Sequence, residues 1–231
     1  MSNKHAVVLT GAGISAESGL RTFRDSDGLW ENHRLEDVAT PEAWARDPEM
    51  VLRFYNERRR GVVAAQPNAA HRALAALEAG YDVTVITQNI DDLHERAGSS
   101  RVLHLHGEIL KARSSADESL LYDTGGEDIR IGDTCEKGSQ LRPHVVWFGE
   151  AVPMIVEAAR VAATADLFLV VGTSLTVYPA AGLIRHAPPS ARCFLVDPKA
   201  LPVRFPGVTL LMETATSGVP KLVQQLLEEG A

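Results

Sequence analysis

The sequence predicts an α/β fold, an open parallel sheet carrying a small inserted lobe, and three observations predict it. Short apolar runs bounded by turn residues recur at 6–10, 83–87, 167–172 and 193–196, the pattern of strands buried on both faces. Helical patterns lie between them, so the strands require crossover connections. The first run enters Gly11-Ala12-Gly13-Ile14-Ser15-Ala16, which fits the G-x-G-x-x-G/A turn where glycines let a backbone approach a pyrophosphate. The sheet domain is therefore Rossmann-like.

Taken in order, the first strand is Ala6–Thr10, followed by that turn. A dinucleotide-binding unit would continue through an amphipathic helix to a second strand, with an acid about 20 residues on. Here Ser18-Gly19 and Arg21–Gly28 follow instead, too rich in Gly, Ser and Asp for a long helix. Residues 31–79 read as largely helical, over Asp47–Arg60 and Asn68–Ala79, with no strand between them. Val83–Thr87 is the next strand, and residues 111–142 are polar, Gly-rich and weakly patterned. A helix is expected over Pro153–Thr164 and strands at Leu167–Gly172 and Cys193–Val196. Val219, Leu222, Val223 and Leu226 then share the face of a last helix, Val219–Leu227. The chain divides accordingly into a sheet domain of approximately 1–30, 80–110 and 143–231 and a smaller lobe of approximately 31–79 and 111–142. A ligand is expected in the cleft between them.

Composition bounds the function. The 231 residues suit one large domain, and an apolar content of 45% is that of a globular protein. A net charge of −7 with both signs mixed along the chain gives no support for a nucleic-acid footprint. No apolar run approaches the ~18 residues of a membrane span, and no basic-then-apolar leader opens the sequence. Two cysteines, Cys135 and Cys193, cannot build a disulfide framework, so a cytoplasmic protein is expected.

Three further segments carry candidate chemistry. Gln88-Asn89-Ile90-Asp91-Asp92 follows a strand directly, at the carboxyl edge where open sheets hold ligands. One Asn or Asp there would serve as a helix cap, but the group exceeds what a cap needs. In Leu103-His104-Leu105-His106-Gly107-Glu108 the two histidines share a face if the segment is a strand. A metal site lacks further ligands, whereas one imidazole suits a general base near neutral pH. Gly172-Thr173-Ser174 could bond phosphate or ribose, although alone it is an ordinary turn.

Together, and in this order, GAGIS…SGLRTFR, TQNIDDLH, LHGE, RPHVVWFGE and VGTS resemble the sirtuins, the NAD-dependent protein lysine deacylases. The resemblance spans residues 5–227 and is nearest to the bacterial branch that includes the desuccinylase type. It implies the NAD-binding sheet that sirtuins share with deoxyhypusine synthase, and NAD consumed as a co-substrate. On that resemblance Gly11, Ala12, Gly13, Ile14, Ser15 and Glu17 line the phosphate and ribose region, with Trp30 also against the nucleotide. Phe23 and Arg24 lie by the reacting ribose, where a ring excludes water from a cation-like centre. Gln88, Asn89, Ile90 and Asp91 hold ribose and nicotinamide carboxamide, and Asn89 and Asp91 join His106 as catalytic residues. The acyl-lysine amide oxygen attacks the ribose and expels nicotinamide, and His106 is the base for the hydroxyl that then attacks. Free lysine and O-acyl-ADP-ribose are the implied products. His104 has no catalytic counterpart and is taken as structural.

The resemblance further implies that Gly172, Thr173 and Ser174 form the second nucleotide loop, with Asp197 near the adenosine ribose and Ala215 near adenine. Leu195 stands where relatives carry an Asn, so that contact is not expected here. Val146, Phe148 and Gly149 fall in the segment against which a substrate peptide lies as an added strand. Tyr55 and Arg58, three apart on one helix face, match the pair that grips the distal carboxylate of succinyl- or malonyl-lysine. Ala39 leaves room for the longer acyl chain. The structural zinc of most sirtuins is not expected, because Lys111-Ala112-Arg113-Ser114-Ser115 stands where the first cysteine pair would begin and only Cys135 lies near the second. The expected partners are acyl-lysine proteins or peptides, not nucleic acid or membrane. The alternative is a non-catalytic NAD- or ADP-ribose-binding module of the same fold.

Overall fold

A computed structural model describes residues 4–20, 29–30, 33–173, 175–199 and 207–230. Six strands form the main sheet: β1 (His5–Thr10), β4 (Asp82–Thr87), β5 (Val102–His104), β9 (Leu167–Val171), β10 (Arg192–Val196) and β11 (Val208–Leu211). They are all parallel, in the order β11-β10-β9-β1-β4-β5. The chain moves from β1 outward to β4 and β5, then returns to the other side of β1 for β9, β10 and β11. The order therefore reverses between β1 and β9, where open sheets form a ligand crevice at their carboxyl ends.

Alternate residues of each strand enter different layers. Ala6, Val8, Val83, Val85, Leu169 and Val171 pack with Ala70, Leu74 and Leu77 and with Val219, Leu222, Val223 and Leu226. Those partners come from α4 (Ala69–Ala76) with its 3₁₀ extension Leu77–Ala79, and from α7 (Ala215–Gly230). Val7, Leu9, Ile86, Phe168 and Val170 face the opposite layer, built from α6 (Ile155–Ala162) and the 3₁₀ helix Ala180–His186. Strands covered on both faces are why their sequence reads as continuous apolar runs.

The smaller lobe packs α1 (Leu35–Val38), α2 (Pro41–Arg46) and α3 (Pro48–Ala64) against an antiparallel sheet. That sheet has the order β7-β6-β8, from β6 (Gly107–Ser114), β7 (Leu121–Asp123) and β8 (Leu141–Val145). Two short strands, β2 (Leu29–Trp30) and β3 (His33–Arg34), pair antiparallel ahead of the helices, and α5 (Leu93–Ala97) follows β4. Thr40 and Asp47 cap α2 and α3, each with Pro in the first turn.

The lobe differs from expectation at two places. The helix of residues 69–79 does not belong to it: its apolar face meets β1, β4 and α7, so the lobe's helical part ends with α3. The weakly patterned residues 111–142 hold most of a sheet, fixed by side chains of α3. Asn56 donates from Nδ2 to the Ile129 carbonyl (2.8 Å) and accepts from its N–H (3.0 Å). Buried Arg59 donates to the Ile109 carbonyl (2.8 Å) and to Asn56, and Arg60 forks onto Asp128 (2.8 and 2.7 Å).

Candidate active site

The turn after β1 and the loop after β9 meet at backbone distance. Gly13 N–H donates to the Gly172 carbonyl (2.8 Å), and Gly11 N–H donates to that of Val171 (3.0 Å). A Cβ at Gly13 would lie 2.7 Å from Gly172 O, and one at Gly172, with φ of +63°, would lie 2.3 Å from Ile14 N. These glycines are required by close approach of two chains. No long helix follows the turn; two 3₁₀ turns, Ala12–Ile14 and Ala16–Ser18, end at Gly19.

Beside this junction lies a cavity of about 250 Å³ between the sheet's carboxyl edge and the smaller lobe. Its walls bring together Ala12, Ser15, Gln88, Asn89, Ile90, Asp91 and His106 from the sheet side. Ala39, Tyr55, Arg58, Val146, Phe148 and Gly149 close it from the other side. Gly11, Gly13, Ile14, Gly172 and Thr173 form the adjoining turns. Glu17, Asp197 and Ala215 stand away from the cavity: Glu17 accepts from Thr216 N–H (3.2 Å) and buried Asp197 accepts from Lys199 N–H (2.8 Å). Phe23, Arg24 and Ser174 lie outside the described residues, as does the Trp30 side chain.

Buried hydrogen bonds fix the loop after β4. Asn89 Nδ2 donates to Ser15 Oγ (3.1 Å) and to the Gly11 carbonyl (3.3 Å). Ser15 Oγ donates to Asp91 Oδ2 (3.0 Å), whose Oδ1 accepts from Leu93 N–H (3.2 Å). Burial raises the Asp91 pKa, and the Leu93 and Ser15 hydrogen bonds oppose that rise. Gln88 Nε2 reaches Thr173 Oγ1 (3.3 Å), joining this loop to the one after β9.

The two histidines serve successive carbonyls of the same loop. His106 Nδ1 is 2.9 Å from Gln88 O, and His104 Nδ1 is 3.2 Å from Asn89 O. A carbonyl only accepts, so Nδ1 of His106 carries the proton and its Nε2 keeps a lone pair when the ring is neutral. Burial lowers the His106 pKa against the raising effect of the Gln88 bond, which favours the neutral ring. His104 differs, for its Nε2 contacts Glu95 Oε1 (2.7 Å). Burial opposes charge there, but the Glu95 bond and charge carry its pKa upward. One histidine is thus a free base and the other half of an ion pair.

On the opposite wall, Tyr55 and Trp147 rings lie 6.5 Å apart, and burial raises the Tyr55 pKa. Phe148 N–H donates to the Ala39 carbonyl (3.0 Å) and Val146 N–H to that of His106 (2.9 Å). Trp147 N–H goes to Glu150 and Glu150 N–H to Trp147 O. Of residues 146–150, only Gly149 keeps an N–H without a protein acceptor among the described residues, so a peptide strand here would bond mainly to carbonyls. The sequence reading missed Leu20, Val62, Trp147, Glu150, Val177 and Tyr178, which also line the cavity. Trp147 and Glu150 sit within a segment already singled out; Val177 and Tyr178 follow an unremarkable loop and gave no signal.

Among the described residues, no group of three or more His, Cys, Asp or Glu side chains is placed to hold a metal ion. Buried Cys135 is bonded within its own turn, with Gly138 N–H to its carbonyl (2.8 Å) and its N–H to Ser139 O (2.9 Å), and its thiol faces Ser114. One thiolate and a serine do not fit a tetrahedral zinc site.

Comparison with known proteins agrees with this geometry. Residues 11–179 match the Sir2 family. A protein of Helicobacter pylori named NAD-dependent protein deacylase is 52% identical over 226 residues, covering 97% of this chain and 98% of its own. A solved Sir2 homologue in complex with NAD superposes with a TM-score of 0.89 at 40% identity, covering 99% of this chain and 91% of that one. A Sir2 protein solved with a deacetylated p53 peptide and 3′-O-acetyl ADP-ribose gives a TM-score of 0.80 at 33% identity, over 99% of this chain and 94% of that one. With the glycine junction, the loop after β4 and His106 on one cleft, the chain belongs to the Sir2 family.

Proposed function

We propose that this protein is an NAD-dependent protein lysine deacylase that removes acetyl and succinyl or malonyl groups from lysine. The observation that carries the reading is one cavity lined by His106, Asn89 and Asp91 on one side and by Tyr55 and Arg58 on the other. NAD supplies the ribose carbon that the acyl oxygen attacks, with nicotinamide as leaving group. The pyrophosphate would lie against the two turns that the glycine junction holds together. Asn89 and Asp91 orient the ribose end, and His106 Nε2 takes the proton of the ribose hydroxyl that attacks the acyl carbon. Collapse of that adduct releases lysine as its amine, and a water adds to the acyl carbon, so that the acyl group leaves as an ester on ADP-ribose.

Arg58 faces the far end of the acyl chain, where a guanidinium can meet a carboxylate through two parallel bonds. Backbone contacts from the Val146–Gly149 segment accommodate varied peptide sequences. A non-catalytic binding module needs neither the neutral His106 nor an acyl pocket. No zinc is expected, with Asn56 and Arg59 holding the lobe in its place; elemental analysis of tag-free protein finding one zinc per chain would contradict this. Two unpaired thiols and the absence, among the described residues, of a helix apolar and long enough to cross a membrane support a cytoplasmic location.

The test is nicotinamide release from NAD in the presence of acetyl-, malonyl-, succinyl- and glutaryl-lysine peptides. Release with none of them sinks the deacylase reading. Arg58→Met should lower succinyl turnover by about tenfold or more, the loss expected for a charge-assisted pair, while sparing acetyl-lysine. Equal losses on both would refute the acyl-pocket assignment.

A further inference from the structure

A charged cluster unused by the chemistry above lies behind the acyl end of the cavity. Glu150 lines that end beside Trp147, and its carboxylate takes bonds from two arginines of the smaller lobe's sheet. Arg142, on β8, donates from Nη1 to Oε1 (2.8 Å) and from Nη2 to Oε2 (3.2 Å). Arg113, on β6, donates from Nη2 to both oxygens (3.2 and 3.3 Å). The Trp147 backbone N–H supplies a further bond, to Oε2 (2.8 Å).

Both arginine side chains are nearly buried, 5% exposed for Arg113 and 9% for Arg142. Arg113 has a second carboxylate, Glu118, only at 3.7 Å and at the surface. Two buried cations side by side repel, and without Glu150 their desolvation would be uncompensated. Burial opposes charge on Glu150 as well, but the bonds from Arg142 and Trp147 and the nearby guanidinium charges hold its pKa below the ordinary value.

The cluster also fixes an aromatic ring. The Arg142 guanidinium lies 3.2 Å from the Trp147 ring centroid, and its Nη2 donates to the Val145 carbonyl (3.0 Å). The indole is thereby held by a cation–π contact on one side and packed among Trp44 (5.8 Å) and Tyr55 (6.5 Å) on the other. We propose that Glu150 is a positioning residue: clamped by Arg113 and Arg142, it fixes Trp147 against Tyr55 and so sets, from the smaller lobe, which acyl groups the cavity accepts. This rests on the deacylase reading. On that reading Tyr55 and Arg58 meet the distal carboxylate of a long acidic acyl chain, a group that acetyl lacks. The clamp should therefore matter for the long chain and little for the short one.

Glu150→Gln keeps an acceptor for Trp147 N–H and removes the charge that joins the two arginines. The expected result is a succinyl-peptide KM raised about tenfold, as for the loss of a charged hydrogen bond, with acetyl-peptide and NAD constants within about threefold. Arg142→Lys keeps the cation but loses the planar fork over Trp147, and should act in the same direction. Glu150→Asp should restore part of the loss. With Trp30 and Trp44 replaced by Phe, Trp147 emission should shift to the red in both Glu150→Gln and Arg142→Lys, a readout that needs no turnover. A uniform loss toward both peptides and NAD overturns the proposal, as does unchanged emission with unchanged acyl ranking. A lower succinyl KM in Glu150→Gln would mean that the carboxylate repels the acyl group directly, and also overturns it. If the unaltered protein releases no nicotinamide but the emission shift appears, the deacylase reading fails while the clamp on Trp147 stands.

Discussion

Acid should destabilise the protein through His71, which is buried behind the turn after β1. Its Nδ1 accepts from Asn68 N–H (3.3 Å), so the proton of the neutral ring sits on Nε2, which faces Ser15 Oγ (3.4 Å). Burial, with a smaller contribution from Arg72, lowers its pKa from 6.5 to about 4. A second proton would turn the acceptor into a donor facing a backbone N–H. Between those two values the unfolded chain binds this proton and the folded chain does not. Stability from this residue is therefore complete above pH 6.5 and is lost as pH falls toward 4. At about 1.4 kcal/mol for each tenfold in proton affinity, the loss amounts to about 3 kcal/mol. His94, 5.0 Å away ring to ring and itself held neutral by burial, acts in the same direction. His71→Gln retains an acceptor for Asn68 N–H and removes the titration. Urea unfolding of both proteins from about pH 7 to about pH 4 should show the unaltered chain losing about 3 kcal/mol more than the variant. Parallel pH curves for the two would refute the reasoning.

Two further substitutions probe the junction and the lobe. Gly172→Ala places a Cβ 2.3 Å from Ile14 N and 2.6 Å from Gly13 C, so the two turns must separate. The expected cost is about 1–3 kcal/mol for overpacking plus about 1 kcal/mol for the left-handed backbone, with a raised KM for NAD; an unchanged urea midpoint and KM would contradict it. Asn56→Ala strands the Ile129 N–H and carbonyl and takes a partner from Arg59. Denaturation should show a loss of about 1–3 kcal/mol, and a change below a few tenths would mean that the lobe is held elsewhere.

What the sequence disclosed follows from how local each signal is. The junction glycines announce themselves because the spacing of the turn is a backbone requirement. Four strands of the main sheet, β1, β4, β9 and β10, were legible because burial on both faces leaves no polar alternation, whereas the edge strands β5 and β11 are only partly buried and show no such run. The helix of residues 69–79 shows its apolar face, but a face does not say which layer it meets, and here it packs on β1, β4 and α7. Residues 111–142 lack a pattern because their sheet is fixed from outside, by Asn56 and Arg59 on α3. Arg58-Arg59-Arg60 makes the point within three residues. Arg58 lines the cavity, Arg59 is wholly buried on backbone carbonyl and amide, and Arg60 sits at the surface on Asp128. Successive helix positions point about 100° apart, so three identical letters enter three environments.

Ser15 carries the same lesson into the site. The turn motif and the family resemblance both place it among residues that touch the nucleotide, and it does line the cavity. Its hydroxyl, however, donates to Asp91, accepts from Asn89 and faces the Nε2–H of His71. That uses its one donor and both acceptor positions. A ligand could bond this hydroxyl only by displacing a protein partner. Ser15 is therefore better understood as the pin that ties Asn89 and Asp91 to the turn after β1. Those two residues lie more than 70 positions away in sequence, as the hydrogen bonds to Asp91 (76) and Asn89 (74) record. The serine of GAGIS thus joins the turn after β1 to the loop after β4, and on the proposed reading that loop, in place of the acid of a second strand, orients the reacting ribose.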